Sequence, residues 1–309
     1  MTHSATPTLD IMMPFYGDIG YFKLAVQSVL DQSDHAWELT IIDDLYPDLS
    51  AGHWAASLAD SRVRYQRNAD NLGVAGNFAK CVELATAEFV VIMGCDDLLL
   101  PGFVAQMKKL AADFPAASFI QPGVQVIDAK GEVVLPLADR VKNFYRPAIT
   151  RPTLMDGEAY AVSVLRGNWT YFPSIAWRTT VIKSVKFRTD LDVVLDLALQ
   201  IDILADGGGV CVDAQDPVYA YRRHFGSVSA WTAGDGTRFE EESRYFLQAA
   251  QTMRELGWFR AAHAAQMHYS SRLNELTSVP RALKGGGVRA ALRLIRHALS
   301  LTRVPKQSS

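Results

Sequence analysis

Short apolar runs alternate with segments of helical periodicity along the first half of the chain. Residues 9–13, 39–42, 63–66 and 89–93 are runs typical of strands, and the segments between them place apolar residues three and four positions apart. Runs that are apolar at every position indicate strands buried on both faces. This alternation predicts an α/β fold with a mainly parallel sheet covered by helices.

The rhythm changes in the second half of the chain. Residues 119–135 predict a hairpin with its turn at 128–131, and strands are predicted at 174–177, 210–212 and 218–221. Helices are predicted at 156–165 and 192–204, and from 237 onward the pattern is helical. We therefore expect a mixed sheet within residues 1–235, followed by a helical extension over 236–309.

An acidic doublet follows the most apolar of these strands. Residues 89–93 are broken at Gly94, and Asp96 and Asp97 come next, before Pro101 opens a helix. In open α/β sheets, ligands bind outside the carboxyl ends of the strands. Two adjacent carboxylates repel unless a cation neutralises them, and Mg²⁺ or Mn²⁺ shares such oxygens with a diphosphate. A solvated Asp-Asp turn is the alternative.

Composition narrows the class of protein. The chain has 309 residues, 49% hydrophobic and 21% charged, as in ordinary globular proteins. Residues 1–8 lack the apolar region of a secretory signal, and three cysteines without CxxC spacing favour a reducing compartment, so we expect a cytoplasmic protein. No recognised nucleic-acid-binding module is present, and we expect no nucleic-acid partner.

The C-terminal tail is strongly basic. No acidic residue follows Glu275, whereas seven lysines and arginines do. Residues 288–302 form a candidate amphipathic helix with arginines beside its apolar stripe, a pattern suited to the anionic inner face of the plasma membrane. Docking of this helix on its own domain, or on a second subunit of a homo-oligomer, is the alternative.

Six segments, taken in order, resemble an inverting family 2 glycosyltransferase with the GT-A fold. They are residues 9–16, 28–33, 37–44, 71–75, the Asp96-Asp97…Pro101 site and residues 221–229. The resemblance spans about residues 8–230. It implies a nucleotide-diphosphate sugar donor, with a UDP-sugar as the first candidate, a divalent cation (Mn²⁺ or Mg²⁺), and a glycan or lipid-linked saccharide as acceptor.

The resemblance also implies roles for particular residues. Tyr16 would stack on the nucleobase, Asp44 would accept a hydrogen bond from it, and Asp97 with His224 would hold the metal. Packing is the alternative for Tyr16, and a turn is the alternative for Asp44. The full donor-binding set is Pro14, Phe15, Tyr16, Asp44, Asn71, Gly73, Asn77, Asp96 and Arg222.

Inversion requires a base that removes the proton from the acceptor hydroxyl. The family places this acid about eleven residues before a glycine, which selects Asp196 before Gly207, with Asp192 one turn earlier as runner-up. A structural role, such as capping a helix, is the alternative for Asp196. Trp169 and Phe172 would line the acceptor pocket, and core packing is the alternative for both rings.

Two positions depart from the family pattern. Gly94 stands where the family has an acid, and Phe78-Ala79 stand where it has Arg-Asn. These departures leave open a second reading, a nucleotide-sugar-binding protein without catalysis. An NAD(P)-dependent oxidoreductase is disfavoured, because residues 14–17 do not form the glycine-rich turn that such enzymes need after their first strand.

Overall fold

The computed structural model of the chain describes residues 9–188, 190–224 and 237–272, without the side chains of 237–240. Its strands are β1 (Leu9–Phe15), β2 (Trp37–Asp43), β3 (Val63–Arg67), β4 (Phe89–Ile92), β5 (Leu98–Leu99), β6 (Ala117–Ile127), β7 (Thr153–Met155), β8 (Ala176–Arg178) and β9 (Gly209–Arg222). They form one sheet in the order β3-β2-β1-β4-β8-β6-β9-β5, and β7 also pairs with β9.

Helices cover this sheet. They are α1 (Ile19–Leu30), α2 (Ser50–Ser57), α3 (Gly73–Leu84), α4 (Phe103–Asp113), α5 (Leu137–Tyr145), α6 (Gly157–Arg166), α7 (Thr179–Val185), α8 (Leu195–Ala205), α9 (Thr237–Glu255) and α10 (Phe259–Met267). A short 3₁₀ helix covers Phe172–Ser174. Asp156 caps α6 by accepting a hydrogen bond from the Ala159 N–H at 2.7 Å, as the sequence predicts.

The first half of the sheet is parallel, as predicted. Strand β1 lies between β2 and β4, and β2 also pairs with β3. Alternate residues of β1 point to opposite layers: Met12 packs in one apolar cluster, and Ile11 and Met13 pack in the other. Both faces of these strands are therefore covered, which explains their continuous apolar runs.

Strand β9 is longer than the sequence predicts. It runs unbroken for 14 residues, where two short strands were expected. Its pairing with β6 shifts register on either side of Gly123, and the polar residues Gln215 and Asp216 fall in this irregular stretch. A bulge of this kind keeps a strand continuous across residues that do not follow the alternating pattern.

The second arm of the predicted hairpin is much reduced. Ile127 and Val133 form a single antiparallel bridge, and the chain then enters α5 directly after Pro136. Proline has no N–H to donate to a ladder, and its fixed φ suits the start of a helix.

Helix α8 begins three residues later than predicted, and a carboxylate from another element binds the N–H groups that precede it. The carboxylate of Glu241 on α9 accepts hydrogen bonds from the N–H groups of Asp192, Val193 and Val194 at 3.1, 2.7 and 3.1 Å. These N–H groups would otherwise lack partners at the helix start.

Helices α9 and α10 pack against α6 and α8. Tyr245, Phe246 and Met253 are buried in the same apolar cluster as Leu204. Division of the chain at residue 235 stays a prediction, and the basic segment 288–302 lies outside the described residues. Within the part that the structure describes, no helix is both long enough and apolar enough to cross a membrane.

Candidate active site

Three parallel strands end side by side at one edge of the sheet. Strand β1 ends at Phe15, its neighbour β2 ends at Asp43, and its other neighbour β4 leads to Asp96 and Asp97. Because these strands are adjacent and parallel, the residues that follow them meet at the same edge. This is the position where open α/β sheets bind ligands.

Asp44 organises the loop that leads into α3. One of its carboxylate oxygens accepts hydrogen bonds from the Leu72 N–H at 2.8 Å and the Asn68 amide at 2.9 Å, and the other accepts from the Gly73 N–H at 2.9 Å. Asn71 donates its side-chain amide to the Asp44 carbonyl at 3.0 Å. Gly73 has a φ of +69°, which favours glycine. The structure therefore brings Asp44, Asn71 and Gly73 together.

The residues that end β1 are divided between surface and core. Tyr16 is 55% exposed, and its ring meets that of Tyr46 nearly at a right angle with a centroid distance of 5.2 Å. More than half of the Tyr16 residue is therefore accessible to a planar ligand. Pro14 lies in β1 opposite Ile42. Phe15 is fully buried and packs against Phe22. A donor contact by Phe15 would therefore have to use its main chain.

Asn77 is also buried, and its side chain serves the protein itself. It donates to the Ile42 carbonyl at 3.1 Å and accepts from Asn68 at 3.2 Å. These bonds fix α3 to the end of β2. The role in donor binding that the sequence predicts for Asn77 is thereby limited to an indirect one through the Asp44 loop.

Asp97 is the most enclosed acid of the site. It is 1% exposed, and its two carboxylate oxygens accept hydrogen bonds from the Tyr219 hydroxyl and the Arg222 N–H, both at 2.8 Å. Burial, followed by the charge of the neighbouring Asp96, raises the pKa of Asp97 well above the ordinary value of an aspartate. The charge of Arg222 acts in the opposite direction but does not outweigh these effects. Strand β9 therefore holds a carboxyl group whose charge is compensated only in part.

The Arg222 side chain braces this corner from within. It is buried, and its guanidinium donates to the carbonyls of Asp96 at 2.6 Å and Asp128 at 3.1 Å, with the ring of Tyr21 at 4.7 Å. The sequence predicts that Arg222 contacts the donor. The structure instead directs its guanidinium at main-chain carbonyls, so its role is to hold Asp96 in place.

His224 meets Asp96 at the open side of the same corner. Its Nε2 lies 2.7 Å from the Asp96 carboxylate, and its ring centroid lies 5.0 Å from that of Tyr21. Asp96, Asp97 and His224 are thus brought together, although they are more than 120 residues apart in sequence. The residues after His224 that the resemblance includes, 225–229, lie outside the described residues.

Gly94 has a steric reason to lack a side chain. Its backbone does not have a positive φ, but a Cβ atom at this position would lie 2.6 Å from the Asp97 carboxylate and 3.0 Å from that of Asp96. An acid at position 94 is therefore incompatible with the observed placement of Asp97. The departure from the family pattern makes room for the doublet.

We predict that Gly94→Ala displaces the Asp97 carboxylate and weakens metal-dependent nucleotide binding by at least about tenfold, an energy near 1.4 kcal/mol. Gly102→Ala is the matched control, because a Cβ there meets no atom within 4 Å. Calorimetric titration of both variants with a nucleoside diphosphate and Mn²⁺ gives the comparison. Equal affinities in the two variants would contradict the steric explanation.

The corner suits a hard divalent cation that is completed by a ligand. Within the described ranges, no group of three or more His, Cys, Asp or Glu side chains is arranged to hold a metal alone. Mg²⁺ is commonly bound through one or two carboxylates plus substrate phosphates, and the only partly compensated Asp97 fits that pattern. Cys95 does not compete for the metal, since burial raises the pKa of its thiol to about 12.

The candidate base Asp196 lies in the first turn of α8 and is partly buried. The side-chain amide of Asn168 donates to its carboxylate at 3.0 Å, and the Leu197 N–H donates to the other oxygen at 2.7 Å. Asn168 in turn accepts a hydrogen bond from the Thr170 hydroxyl at 2.7 Å. Asp192, the runner-up, is exposed. The fixed orientation of its carboxylate favours Asp196.

A second charged cluster lies beside this base. Lys142 on α5 donates to the Thr170 carbonyl at 2.6 Å, and its ammonium group sits 4.3 Å from the centre of the Tyr171 ring. Asp139, one turn away and fully buried, accepts from the Tyr171 hydroxyl at 2.8 Å and from Arg223 at 2.9 Å. These contacts connect the strand that carries His224 with the loop that holds Asp196.

Lys142 titrates at an unusual pH. Burial, followed by the charge of Arg223, lowers its pKa from 10.5 to about 8, while Asp196 and Asp139 act in the opposite direction. Between pH 8 and 10.5 the unfolded chain therefore binds more protons at this position than the folded chain. Stability contributed through this group rises with pH over that interval.

We expect the free energy of unfolding of the wild type to rise relative to that of Lys142→Met from about pH 8 to 10, by at most about 1.4 kcal/mol per pH unit. Urea titrations across this range measure the difference. Lys108→Met, at an exposed position on α4, should follow the wild type in parallel. A pH-independent gap between wild type and Lys142→Met would show that Lys142 keeps its ordinary pKa.

Trp169 and Phe172, the predicted acceptor residues, belong to the core. The Trp169 indole donates to the Ser163 hydroxyl at 3.1 Å, and both rings are buried in the same apolar cluster. Phe172 stacks on Phe78 with centroids 5.2 Å apart. Phe78, the second departure from the family pattern, therefore replaces a polar contact by packing, and neither predicted ring presents a face to an open pocket.

Several residues of the site were missed at the level of sequence. Tyr219 lies two residues before the segment 221–229 and has no motif of its own. Arg223 lies within that segment, but its pairing with Asp139 was not predicted. Asp139 and Lys142 are three positions apart on a helix that was not predicted. Their spacing places them on one helical face, which is the signal that was available.

Comparison with known proteins decides the family. The family model for Glycosyl transferase family 2 matches residues 10–167, just over half of the chain, from the second residue of β1 through β7. The chain belongs to glycosyl transferase family 2. This assignment agrees with the strand-end site, because β1, β2 and β4 all lie within the matched residues.

The relatives of this family 2 chain cover only part of it. A putative glycosyltransferase, EpsE of Bacillus subtilis, is 25% identical over 136 residues, which are 42% of this chain and 49% of EpsE. An uncharacterized protein of Mycobacterium tuberculosis, MT1568, is 28% identical over 109 residues, 35% of this chain and 34% of that protein. The matches thus span about a third to a half of these relatives.

Solved structures show the fold of the family 2 chain. TarS of S. aureus, residues 1–349, crystallised with UDP-GlcNAc, aligns with a TM-score of 0.61 at 11% identity over 93% of this chain and 90% of that one. The mannosyltransferase PcManGT from Pyrobaculum calidifontis, in complex with GDP-Man and Mn²⁺, aligns with a TM-score of 0.59 at 17% identity over 96% and 80%. The GT-A fold expected from the sequence is confirmed.

Proposed function

We propose that this chain is a metal-dependent, inverting glycosyltransferase that moves a sugar from a nucleotide-diphosphate donor to a glycan or lipid-linked saccharide. The observation that carries the proposal is the buried, only partly compensated carboxyl of Asp97 beside Asp96 and His224, at the edge where β1, β2 and β4 end. A cation carrying a diphosphate would supply further positive charge to this corner.

The donor would lie along the strand ends. Tyr16 offers an exposed ring to a nucleobase, and the Asp44 loop, with Asn71 and Gly73, lies across the neighbouring strand end at the start of α3. Structural neighbours support this class of ligand, since TarS is described with UDP-GlcNAc and UDP, and PcManGT with GDP-Man. A UDP-sugar remains the first candidate.

In the proposed reaction, Asp97 and His224 would hold Mn²⁺ or Mg²⁺, and such an ion would supply positive charge for the departing diphosphate. Asp196 takes the proton from the acceptor hydroxyl as its oxygen attacks the anomeric carbon from the face opposite the diphosphate. Asn168 keeps one oxygen of Asp196 oriented, and Thr170 fixes Asn168. The C–O bond to the acceptor forms as the bond to the diphosphate breaks, which inverts the anomeric configuration.

We also propose that the protein works at the cytoplasmic face of the plasma membrane as a peripheral protein, with the basic segment 288–302 as one contact. The charge of that segment and its lack of acids support this placement. Binding of a lipid-linked acceptor would then occur where such acceptors are displayed.

The first experiment measures donor binding by thermal stabilisation with a panel of nucleotide sugars, with and without Mn²⁺. A donor at 100 times its Kd adds about 2.7 kcal/mol, or roughly 5 °C for a chain of this size. We expect stabilisation only with Mn²⁺, and we expect Asp97→Asn to abolish it. Asp113→Asn, an exposed acid on α4, is the control. Metal-independent stabilisation, or full stabilisation of Asp97→Asn, would contradict the proposed metal site.

The second experiment tests the base. Asp196→Asn should retain donor stabilisation but lose about 10²–10⁴-fold in kcat, because a neutral amide cannot accept the acceptor proton. Asp192→Asn, the exposed neighbour, should keep near-normal turnover. The reverse pattern would move the base to Asp192. Normal turnover in both variants would remove an α8 carboxylate from the mechanism.

A further inference from the structure

Helix α5 has its polar and apolar faces reversed for a helix at a protein surface. Its inner face carries Asp139, which is fully buried, and Lys142, which reaches inward to the Thr170 carbonyl. Its outer face carries Leu137 and Phe144, which are 74% and 82% exposed. Leu137 and Phe144 are seven positions apart, two helical turns, and therefore lie on one face. Surface helices normally bury their apolar face.

The apolar surface continues onto the segment before the helix. Val133 and Leu135 are two positions apart and exposed. Together with Leu137 and Phe144, they form what we call the α5 patch. Beside it is a groove of about 320 Å³, lined mainly by valines of this segment and of β6, and by Tyr171. Four large exposed apolar side chains within twelve residues indicate a surface that binds another protein or a membrane.

Basic side chains flank the α5 patch along the chain. Lys130, Arg140 and Arg151 are exposed, and Arg140 lies between Leu137 and Phe144 on the outer face of α5. Residues 128–151 contain three acids: Asp128 is partly exposed, Glu132 is exposed, and Asp139 is buried and paired with Arg223. The three exposed cations therefore outnumber the two acids that reach the surface. The outer surface is therefore apolar at its centre and positive at its edge.

We propose that the α5 patch inserts into the interface of an anionic lipid bilayer. Protruding apolar side chains with lysine and arginine around them are the pattern that binds such an interface, where headgroups meet the basic rim. A bilayer accepts protruding side chains without a shaped pocket, whereas a protein partner must supply one. This contact is separate from the basic segment 288–302.

The position of the patch gives the contact a consequence. Lys142, on the inner face of the same helix, binds Thr170, which holds Asn168 and through it Asp196. Insertion of α5 would thus bring the acceptor side of the site to the bilayer and favour a lipid-linked acceptor. That consequence rests on the proposed function, whereas the bilayer contact itself does not.

The test is sedimentation of the full chain with vesicles of phosphatidylcholine alone or mixed with phosphatidylglycerol. We expect binding to the mixed vesicles, and at least a tenfold lower partition coefficient for the double variant Leu137→Asp/Phe144→Asp. The matched control is Phe259→Asp, since Phe259 is 71% exposed at the start of α10. The control residue lies away from the α5 patch. Trp258, next to Phe259, packs on Gly157 at the start of α6, whereas Tyr145 of α5 packs on Gly167, just past the end of α6.

Each outcome decides the proposal. Reduced binding of the double variant with normal binding of Phe259→Asp supports it, provided that thermal unfolding and donor stabilisation match the wild type. Equal binding of wild type and double variant would overturn it and assign any membrane contact to other residues. The proposal would also be overturned if the wild type did not bind vesicles and was a dimer by light scattering, while the double variant was a monomer. The α5 patch would then be the contact between two copies of the chain. Loss of donor binding in the wild type would contradict only the proposed function.

Discussion

The structure depends on a carboxyl group, that of Asp97, which is buried beyond the end of β4 with only partial charge compensation. Enclosing Asp97 carries an energetic penalty that hydrogen bonds from Tyr219 and the Arg222 N–H reduce. The charge of Arg222 also favours the ionised carboxylate, but the guanidinium donates its hydrogen bonds to main-chain carbonyls. The long strand β9 carries both hydrogen-bond donors, Tyr219 and the Arg222 N–H. Its pairing with β5, next to the doublet, and with β6 along most of its length holds these donors in place. The same strand ends at Arg222, whose side chain fixes Asp96, and leads to His224.

Packing around the site explains the two departures from the family pattern. Gly94 lacks a side chain because the Asp97 carboxylate occupies the space that a Cβ would need. Phe78 stands where a polar residue is expected and completes a stack with Phe172 in the core. Gly94 leaves the corner with the two carboxylates of Asp96 and Asp97. Turnover of a nucleotide sugar is what distinguishes an enzyme from a nucleotide-sugar-binding protein without catalysis.

Much of the fold follows from local patterns, and much of the site does not. Buried parallel strands, the Asp156 cap and the strand-end acids were predictable, because apolar runs and capping residues act over a few positions. The start of α8 was not, because the carboxylate that binds the N–H groups before it belongs to Glu241, nearly fifty residues later. The burial of Asp139 and Lys142 was equally hidden, since their partners Arg223, Tyr171 and Thr170 come from other elements. Trp169 and Phe172 were expected to line the acceptor pocket from their order in the sequence, but both rings are buried in the apolar core.

The central claim is that Asp97 and His224 hold a cation that carries the donor diphosphate. Crystals grown with Mn²⁺ and a nucleoside diphosphate, measured near the manganese absorption edge, test it most directly. We expect an anomalous peak roughly 2–2.5 Å from an Asp97 carboxylate oxygen, with diphosphate oxygens completing the coordination and the base beside Tyr16. A nucleotide bound elsewhere, or bound at this edge with no anomalous peak at Asp97, would contradict it.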